Sequence, residues 1–186
     1  MTRYGMLINT KKCVGCYACR MACQMINKLE PEEAFISYKE IEQGTYPSVY
    51  AETVPVQCMH CENPACVEIC PQGALYKREE DGLVVQDKSK CIGCQFCAMA
   101  CPYGVRYLNE EERVVEKCTL CEQITAQGGL PQCVIQCGGR ARFFGDLEQG
   151  IDTFEAPAVG YDVDRSYDNL YTGNRVTLGE LAVEYG

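Results

Sequence analysis

The densest run of cysteines in this 186-residue chain reads Cys91-Ile92-Gly93-Cys94-Gln95-Phe96-Cys97-Ala98-Met99-Ala100-Cys101-Pro102. Two, two and three residues separate its four cysteines, and a proline follows the last. Thiolates spaced in this way suit a cubic [4Fe–4S] cluster, whose corners lie a few ångströms apart. A tight loop delivers three of them. It cannot easily wrap round to deliver the fourth, which stands beyond a short helical turn. The proline ends that turn and fixes the chain's exit.

The spacing resembles the signature of bacterial ferredoxins, in which the fourth cysteine ligates a neighbouring cluster. That resemblance implies a second cluster elsewhere in the chain. The sequence holds sixteen cysteines, and all of them fall into quartets. Quartet I is Cys13, Cys16, Cys19 and Cys23; quartet II is Cys58, Cys61, Cys66 and Cys70; quartet III is the run above; quartet IV is Cys118, Cys121, Cys133 and Cys137. Spacing speaks against a disulfide scaffold and against zinc at all four quartets, though not against zinc at one of them. Disulfide frameworks do not repeat Cys-x-x-Cys loops in this way. Structural zinc sites use two such knuckles and often histidine, whereas quartets I and III pack their four cysteines within eleven residues. The single histidine, His60, lies inside a quartet that already has four cysteines, so a supporting or surface role is expected of it rather than ligation.

Charge narrows the partners. The chain carries a formal −9. With −2 for each thiolate-ligated cubane, four clusters would take the holoprotein to about −17, which disfavours nucleic acid. No apolar run approaches the roughly 20 residues that span a bilayer. The N-terminus shows neither an apolar signal core nor a twin-arginine pair. The expectation is a chain made in the cytoplasm that, if exported or membrane-associated, travels with a partner. Lys12, Arg20, Lys90 and Lys117 adjoin cysteines and read as solvated surface charges, each a modest influence on a nearby potential at most.

The elements that must position the quartets are short. Tyr4 to Ile8 reads as a strand, and 9–12 as a turn into the first loop. Arg20 to Leu29 reads as a helix, stopped by Pro31. In the cysteine-free stretch 32–57, Phe35–Ile41 and Val49–Val54 alternate partly and predict a half-buried β-hairpin. Ala74–Lys77 with Gly82–Gln86, and Gly104–Leu108 with Arg113–Glu116, predict two matching hairpins around acidic turns. Quartet, helical turn, Cys-Pro, glycine, strand, turn, strand thus occurs twice, an internal repeat. Thr119 to Ala126 reads as a helix, and Arg140 to Phe144 as a closing strand. Beyond 148 there is no cysteine. Tyr161, Tyr167, Leu170, Tyr171, Val176, Leu178 and Leu181 make this tail more apolar than disorder requires, and it is expected to lie extended on a partner.

Four quartets in this order, with Cys58-Met59-His60-Cys61-Glu62-Asn63-Pro64-Ala65-Cys66 in the second and a long gap in the fourth, resemble a known family. It comprises the four-cluster iron–sulfur subunits of molybdopterin oxidoreductases of the dimethyl sulfoxide reductase type. The resemblance covers residues 4 to about 148. It implies an α+β fold of two ferredoxin-like two-cluster domains. An outer domain would comprise 1–31 with 112–148 and an inner one 58–111, with the hairpin 32–57 inserted and the partner-binding tail at 149–186. It also implies crossed ligation of four [4Fe–4S] clusters. The first would use Cys13, Cys16, Cys19 and Cys137; the second Cys118, Cys121, Cys133 and Cys23. The third would use Cys58, Cys61, Cys66 and Cys101; the fourth Cys91, Cys94, Cys97 and Cys70. Cys23 and Cys137 lack the proline that follows Cys70 and Cys101, which leaves the helix exits there undefined.

The implied function is a wire rather than a catalyst. It would pass electrons between a large molybdopterin or tungstopterin catalytic subunit and an integral membrane anchor or other redox partner, with no direct membrane insertion. A free-standing soluble polyferredoxin is the alternative. Iron analysis of the purified chain should find about sixteen irons; zinc at stoichiometry would overturn the cluster reading.

Overall fold

The computed structural model describes residues 2–155 together with Leu170 and Tyr171. The elements follow in chain order as β1 (Tyr4–Asn9), α1 (Ala18–Asn27), β2 (Ser37–Gln43), β3 (Tyr50–Val56), α2 (Ala65–Glu68), β4 (Leu75–Lys77), β5 (Val84–Gln86), α3 (Phe96–Met99), β6 (Tyr107–Asn109), β7 (Val114–Glu116), α4 (Glu122–Thr125), α5 (Gln132–Ile135), β8 (Arg142–Asp146) and β9 (Leu170–Tyr171). Long loops carry most of the chain between them. The class is α+β, as expected.

The closure of the fold lies at its two ends. β1 pairs antiparallel with β8, Tyr4 opposite Asp146 and Ile8 opposite Arg142, and with β9 on its other edge. The two strands foreseen on either side of the cysteine-bearing region are therefore neighbours. Helix packing repeats the pairing, since α1 lies against α5 and α2 against α3. Sheet and helices together put quartet I beside quartet IV, and quartet II beside quartet III.

Three hairpins brace this frame. β2 and β3 pair from Ser37 opposite Val56 to Gln43 opposite Tyr50, and only the Val54–Val56 end of the ribbon is buried. The short hairpins β4–β5 and β6–β7 share one register, Leu75 opposite Gln86 and Tyr107 opposite Glu116, as the internal repeat demands. One apolar core joins them all: Ile8 and Phe144 from the sheet, Ile36 and Val56 from the ribbon, Leu83 and Val105 from the short hairpins.

The structure departs from expectation in three places. α1 begins at Ala18 rather than Arg20, and it runs four residues past Cys23 before Lys28 turns left-handed and its N–H closes on the Gln24 carbonyl. No proline is needed after Cys23 because the helix continues there. The helix expected over Thr119–Ala126 contracts to α4, because Leu120 and Cys121 adopt φ of 54° and 52°, which no α-helix allows. The fold also continues past 148. Ile151–Thr153 forms a 3₁₀ turn, Glu155 bridges to Phe144, and Phe154 is buried. Phe154 sits so close over Gly145 that a Cβ there would lie 2.7 Å from its Cα. Of the tail residues expected on a partner, Leu170 and Tyr171 pair with β1 of this chain. Tyr161, Tyr167, Val176, Leu178 and Leu181 lie outside the described residues.

Asp146 fastens the closure. Its Oδ1 accepts from the backbone N–H groups of Arg3 and Glu148, both at 2.9 Å, and its Oδ2 from Gln149 Nε2 at 2.8 Å. Burial raises this carboxyl's pKa, but those donors outweigh burial and hold it below the usual value. The contribution is therefore complete above about pH 4 and is lost as pH falls through the depressed value. Asp146→Ala should cost about 1–3 kcal/mol, read as faster hydrogen exchange at the Arg3 and Glu148 amides. The wild-type chain should show such loosening only below about pH 4.

Candidate metal centres

Each quartet opens with Cys-x-x-Cys, and in all four loops the residue before the second cysteine lies in the left-handed region. These are Gly15 (φ 61°), His60 (45°), Gly93 (68°) and Leu120 (54°). The turn curls the loop so that backbone N–H groups point back at the first sulfur. Leu120 N–H reaches Cys118 Sγ at 3.3 Å, and Gly15 N–H bonds Cys13 in the same way. Glycine enters this region freely; any other residue there costs roughly 1–2 kcal/mol. His60 is anchored against that cost. It is 1% exposed, and its Nδ1 accepts the Val84 N–H at 3.0 Å.

The approach to quartets I and III is a shared 3₁₀ turn over Thr10–Lys12 and Lys88–Lys90, capped by the side chains of Asn9 and Asp87. The third cysteine of each quartet rides on a helix: Cys19 on α1, Cys66 on α2, Cys97 on α3 and Cys133 on α5. Cys70, Cys101 and Cys137 follow two residues after their helices end. Beyond two of these, left-handed Gly73 and Gly104 reverse the chain, and Arg140 does so after Cys137. The N–H of Ala141 then meets Cys137 Sγ at 3.2 Å. Burial raises the pKa of Cys70, but N–H groups of Gln72, Ala74, Leu75 and Gly73 lower it further than burial lifts it.

Three cavities are each ringed by four cysteines, three from one quartet and the fourth from its neighbour. Cys13, Cys16, Cys19 and Cys137 line one; Cys118, Cys121, Cys133 and Cys23 line a second; Cys91, Cys94, Cys97 and Cys70 line a third. The remaining thiols form a fourth group, in which Cys61 feels the charges of Cys58, Cys66 and Cys101. Between groups, Cys133 interacts with Cys19, Cys118 with Cys58, and Cys97 with Cys66. These influences link consecutive groups, the Cys13 group to the Cys118 group, that one to the Cys58 group, and that one to the Cys91 group.

The chemistry of these donor sets suits cubane iron–sulfur clusters. All sixteen cysteines are free thiols. Among the described residues, no three His, Cys, Asp or Glu side chains form a group suited to a metal ion. A single zinc ion would need donors about 2.3 Å from one point, whereas four thiols around a cavity, with N–H groups aimed at sulfur, match a larger core. Burial pushes the Cys23 thiol up to about 12, and Cys61 and Cys133 to about 11. Loading such cages therefore displaces protons, and metal binding is coupled to pH and folding.

The side chains that adjoin the cysteines divide differently from expectation. Lys90 is exposed and pairs with Asp87, as a surface charge should. Lys12 and Arg20 are half-buried. Lys117 is not a surface charge: it is 3% exposed, and its ammonium donates to the Cys118 carbonyl at 3.0 Å. His60 is likewise interior, where burial and then Lys117 hold its pKa well below the ordinary value. Two arginines that sequence reasoning passed over, Arg106 and Arg142, are buried against the cysteine groups. Their one signal in the sequence is a shared offset, five residues after Cys101 and Cys137.

Four thiol groups, three of them ringing a cavity, on a frame of short hairpins define a multicluster ferredoxin-type iron–sulfur protein. A family profile described as a 4Fe-4S dicluster domain matches residues 49–147, and a second of the same description matches 12–75. One of the subunits of sulfite dehydrogenase from Allochromatium vinosum is 38% identical over 168 residues, 79% of this chain and 70% of that protein. A component of the anaerobic dimethyl sulfoxide reductase of Escherichia coli K12 is 40% identical over 156 residues, 80% of this chain and 76% of that one. The electron transfer subunit of thiosulfate reductase from Salmonella typhi, PhsB, is 42% identical over 79% of this chain and 78% of its own length. The chain belongs to this family of 4Fe-4S dicluster iron–sulfur subunits, whose work is electron transfer, and its sixteen cysteines fit four [4Fe–4S] clusters.

Replacing His60 separates its two duties. His60→Leu leaves the Val84 N–H unpaired and puts a branched side chain in the left-handed turn, and should lower stability by about 1–3 kcal/mol. His60→Asn tolerates that conformation and should lose less. Thermal loss of the visible iron–sulfur absorbance measures both.

Proposed function

We propose that this chain relays single electrons between a molybdopterin or tungstopterin catalytic subunit and a second redox partner, a membrane anchor or another donor or acceptor. The relay uses four [4Fe–4S] clusters with crossed ligation: Cys13, Cys16, Cys19 with Cys137; Cys118, Cys121, Cys133 with Cys23; Cys58, Cys61, Cys66 with Cys101; and Cys91, Cys94, Cys97 with Cys70. The outer unit comprises 1–31 and 112–148, and the inner unit 58–111. When bound, the clusters supply one-electron carriers in series.

The observation that carries the reading is the state of the two ends of the line. Of the sixteen cysteines only Cys16 and Cys94 are exposed, and they belong to the two extreme groups. Exposed apolar side chains stand within a few residues of each in the sequence: Val14, Met21 and Met25 on either side of the first, Met25 being 78% exposed, and Ile92, Phe96 and Met99 on either side of the second, Met99 being 73% exposed. A wire needs its interior insulated and both termini accessible, each with a surface that a partner can cover. The Cys118, Cys121, Cys133 and Cys23 group, by contrast, is buried at every sulfur. The names of the relatives, which belong to sulfite, dimethyl sulfoxide and thiosulfate enzymes, support a catalytic partner. By resemblance, the Cys16 end faces the catalytic subunit, and the Cys94 end faces the anchor or other donor.

Cys137→Ser in the assembled complex tests the crossed assignment and the direction of the wire together. Coupled turnover should collapse while the inner-unit clusters keep their spectra. Unchanged coupled turnover would overturn the assignment. Isolation of the chain with no larger subunit attached would favour a free-standing polyferredoxin instead.

A further inference from the structure

Two buried arginines occupy the same place in the two halves of the fold. Arg106 stands five residues after Cys101 and Arg142 five residues after Cys137. The residues between share little, Pro-Tyr-Gly-Val in one case and Gly-Gly-Arg-Ala in the other. The matching positions after Cys70 and Cys23 hold Leu75 and Lys28, so each paired unit has one such arginine.

Arg142 is 1% exposed on β8 and lines the cavity of Cys13, Cys16, Cys19 and Cys137. Its Nη1 donates to Gln57 Oε1 at 2.9 Å, and Gln57 lines the neighbouring cavity of Cys118, Cys121, Cys133 and Cys23. Cys133 of that second cavity and Cys19 of the first both feel its charge. Its Nε and Nη2 have no nitrogen or oxygen partner. Arg106 is the counterpart in the inner unit. It is 9% exposed, the charges of Cys66, Cys97 and Cys58 act on it, and both its Nη1 and Nη2 lack nitrogen or oxygen partners. Among the described residues neither arginine makes an ion pair.

A buried guanidinium without a counter-ion is costly, and leaving its N–H groups unpaired adds to that. Neutral thiols do not relieve it. Sulfurs of two anionic clusters do, because each cubane with four thiolates carries −2 and accepts one electron from its redox neighbour to reach −3. The cation therefore favours the reduced form of whichever clusters it touches. Surface Lys90 is screened by water and paired to Asp87, and it has no such leverage.

We propose that Arg106 and Arg142 are inter-cluster charges, each set between the two clusters of its own unit and raising the reduction potential of both. The proposal rests on the crossed ligation above, with Arg142 serving the Cys13 and Cys118 groups and Arg106 the Cys58 and Cys91 groups.

The test is an EPR-monitored redox titration of the holoprotein in its complex. Signals are first assigned through Cys13→Ser, Cys118→Ser, Cys58→Ser and Cys91→Ser. Arg142→Gln should lower the potentials of the two outer-unit clusters by at least a tenfold change in reduction equilibrium, about 59 mV for a one-electron couple, and leave the inner two unmoved. Arg106→Gln should do the converse, and Arg→Lys at either site should restore most of the shift. No downward shift, an equal shift of all four signals, or a lysine variant as shifted as glutamine would overturn the proposal. If a glutamine variant assembles with fewer than about sixteen irons, the methionine variant at the same site, similar in length and uncharged, is titrated and judged by the same outcomes. Failure of the underlying ligation is distinguishable: Cys137→Ser would then alter the signal that Cys118→Ser alters, rather than that of Cys13→Ser, whatever the arginine variants do.

Discussion

A tight cysteine loop presents three sulfurs to a cubane and leaves the fourth corner to a more distant part of the chain. Every larger feature of this structure answers that constraint. β1 closes on β8, and α1 packs on α5, so Cys137 arrives beside Cys13 and Cys23 beside Cys118. α2 packs on α3, and Cys70 arrives beside Cys91. The strands are short because their task is to return the chain to a cage rather than to build a broad sheet. An apolar core running from Ile8 to Val105 welds the two halves into one body.

The second demand is electrostatic. Burial opposes a thiolate, and it raises the thiol pKa at Cys23, Cys61, Cys118 and Cys133. The fold offsets this with donors aimed at sulfur, from Leu120 to Cys118, from Ala141 to Cys137 and from Asn27 Nδ2 to Cys23. The left-handed residue in each Cys-x-x-Cys loop is the backbone's share of that work. Polar groups that look wasteful in a small protein, such as His60, Lys117 and Arg142, all lie against cages.

Much of this was legible in the residues. Spacing alone grouped the cysteines, and the repeated Cys-Pro and glycine positions foretold the matched hairpins. Gly15 and Gly93 could be read as left-handed positions; His60 and Leu120 could not, since nothing in their chemistry asks for that conformation. Helix propensity over Thr119–Ala126 misled for the same reason, because the loop geometry at Leu120 and Cys121 overrode it. Lys117 looked like a surface charge because a lysine beside a cysteine says nothing about depth. Arg106 and Arg142 escaped notice for the opposite reason, standing apart from any motif. Their burial is a property of the assembled halves.

The meeting of β1 with β8 also imposes an order in time. A nascent chain has all the sulfurs of the inner unit in hand once Cys101 has emerged. The cage that holds Cys23 must wait for Cys133, the cage that holds Cys13 for Cys137, and the closing strand for Asp146, which pairs with Tyr4 from the other end of the chain. Long-range pairing of this kind is slow to form. Maturation should therefore proceed from the middle outward, with the cage beside β1 and β8 the last to be braced.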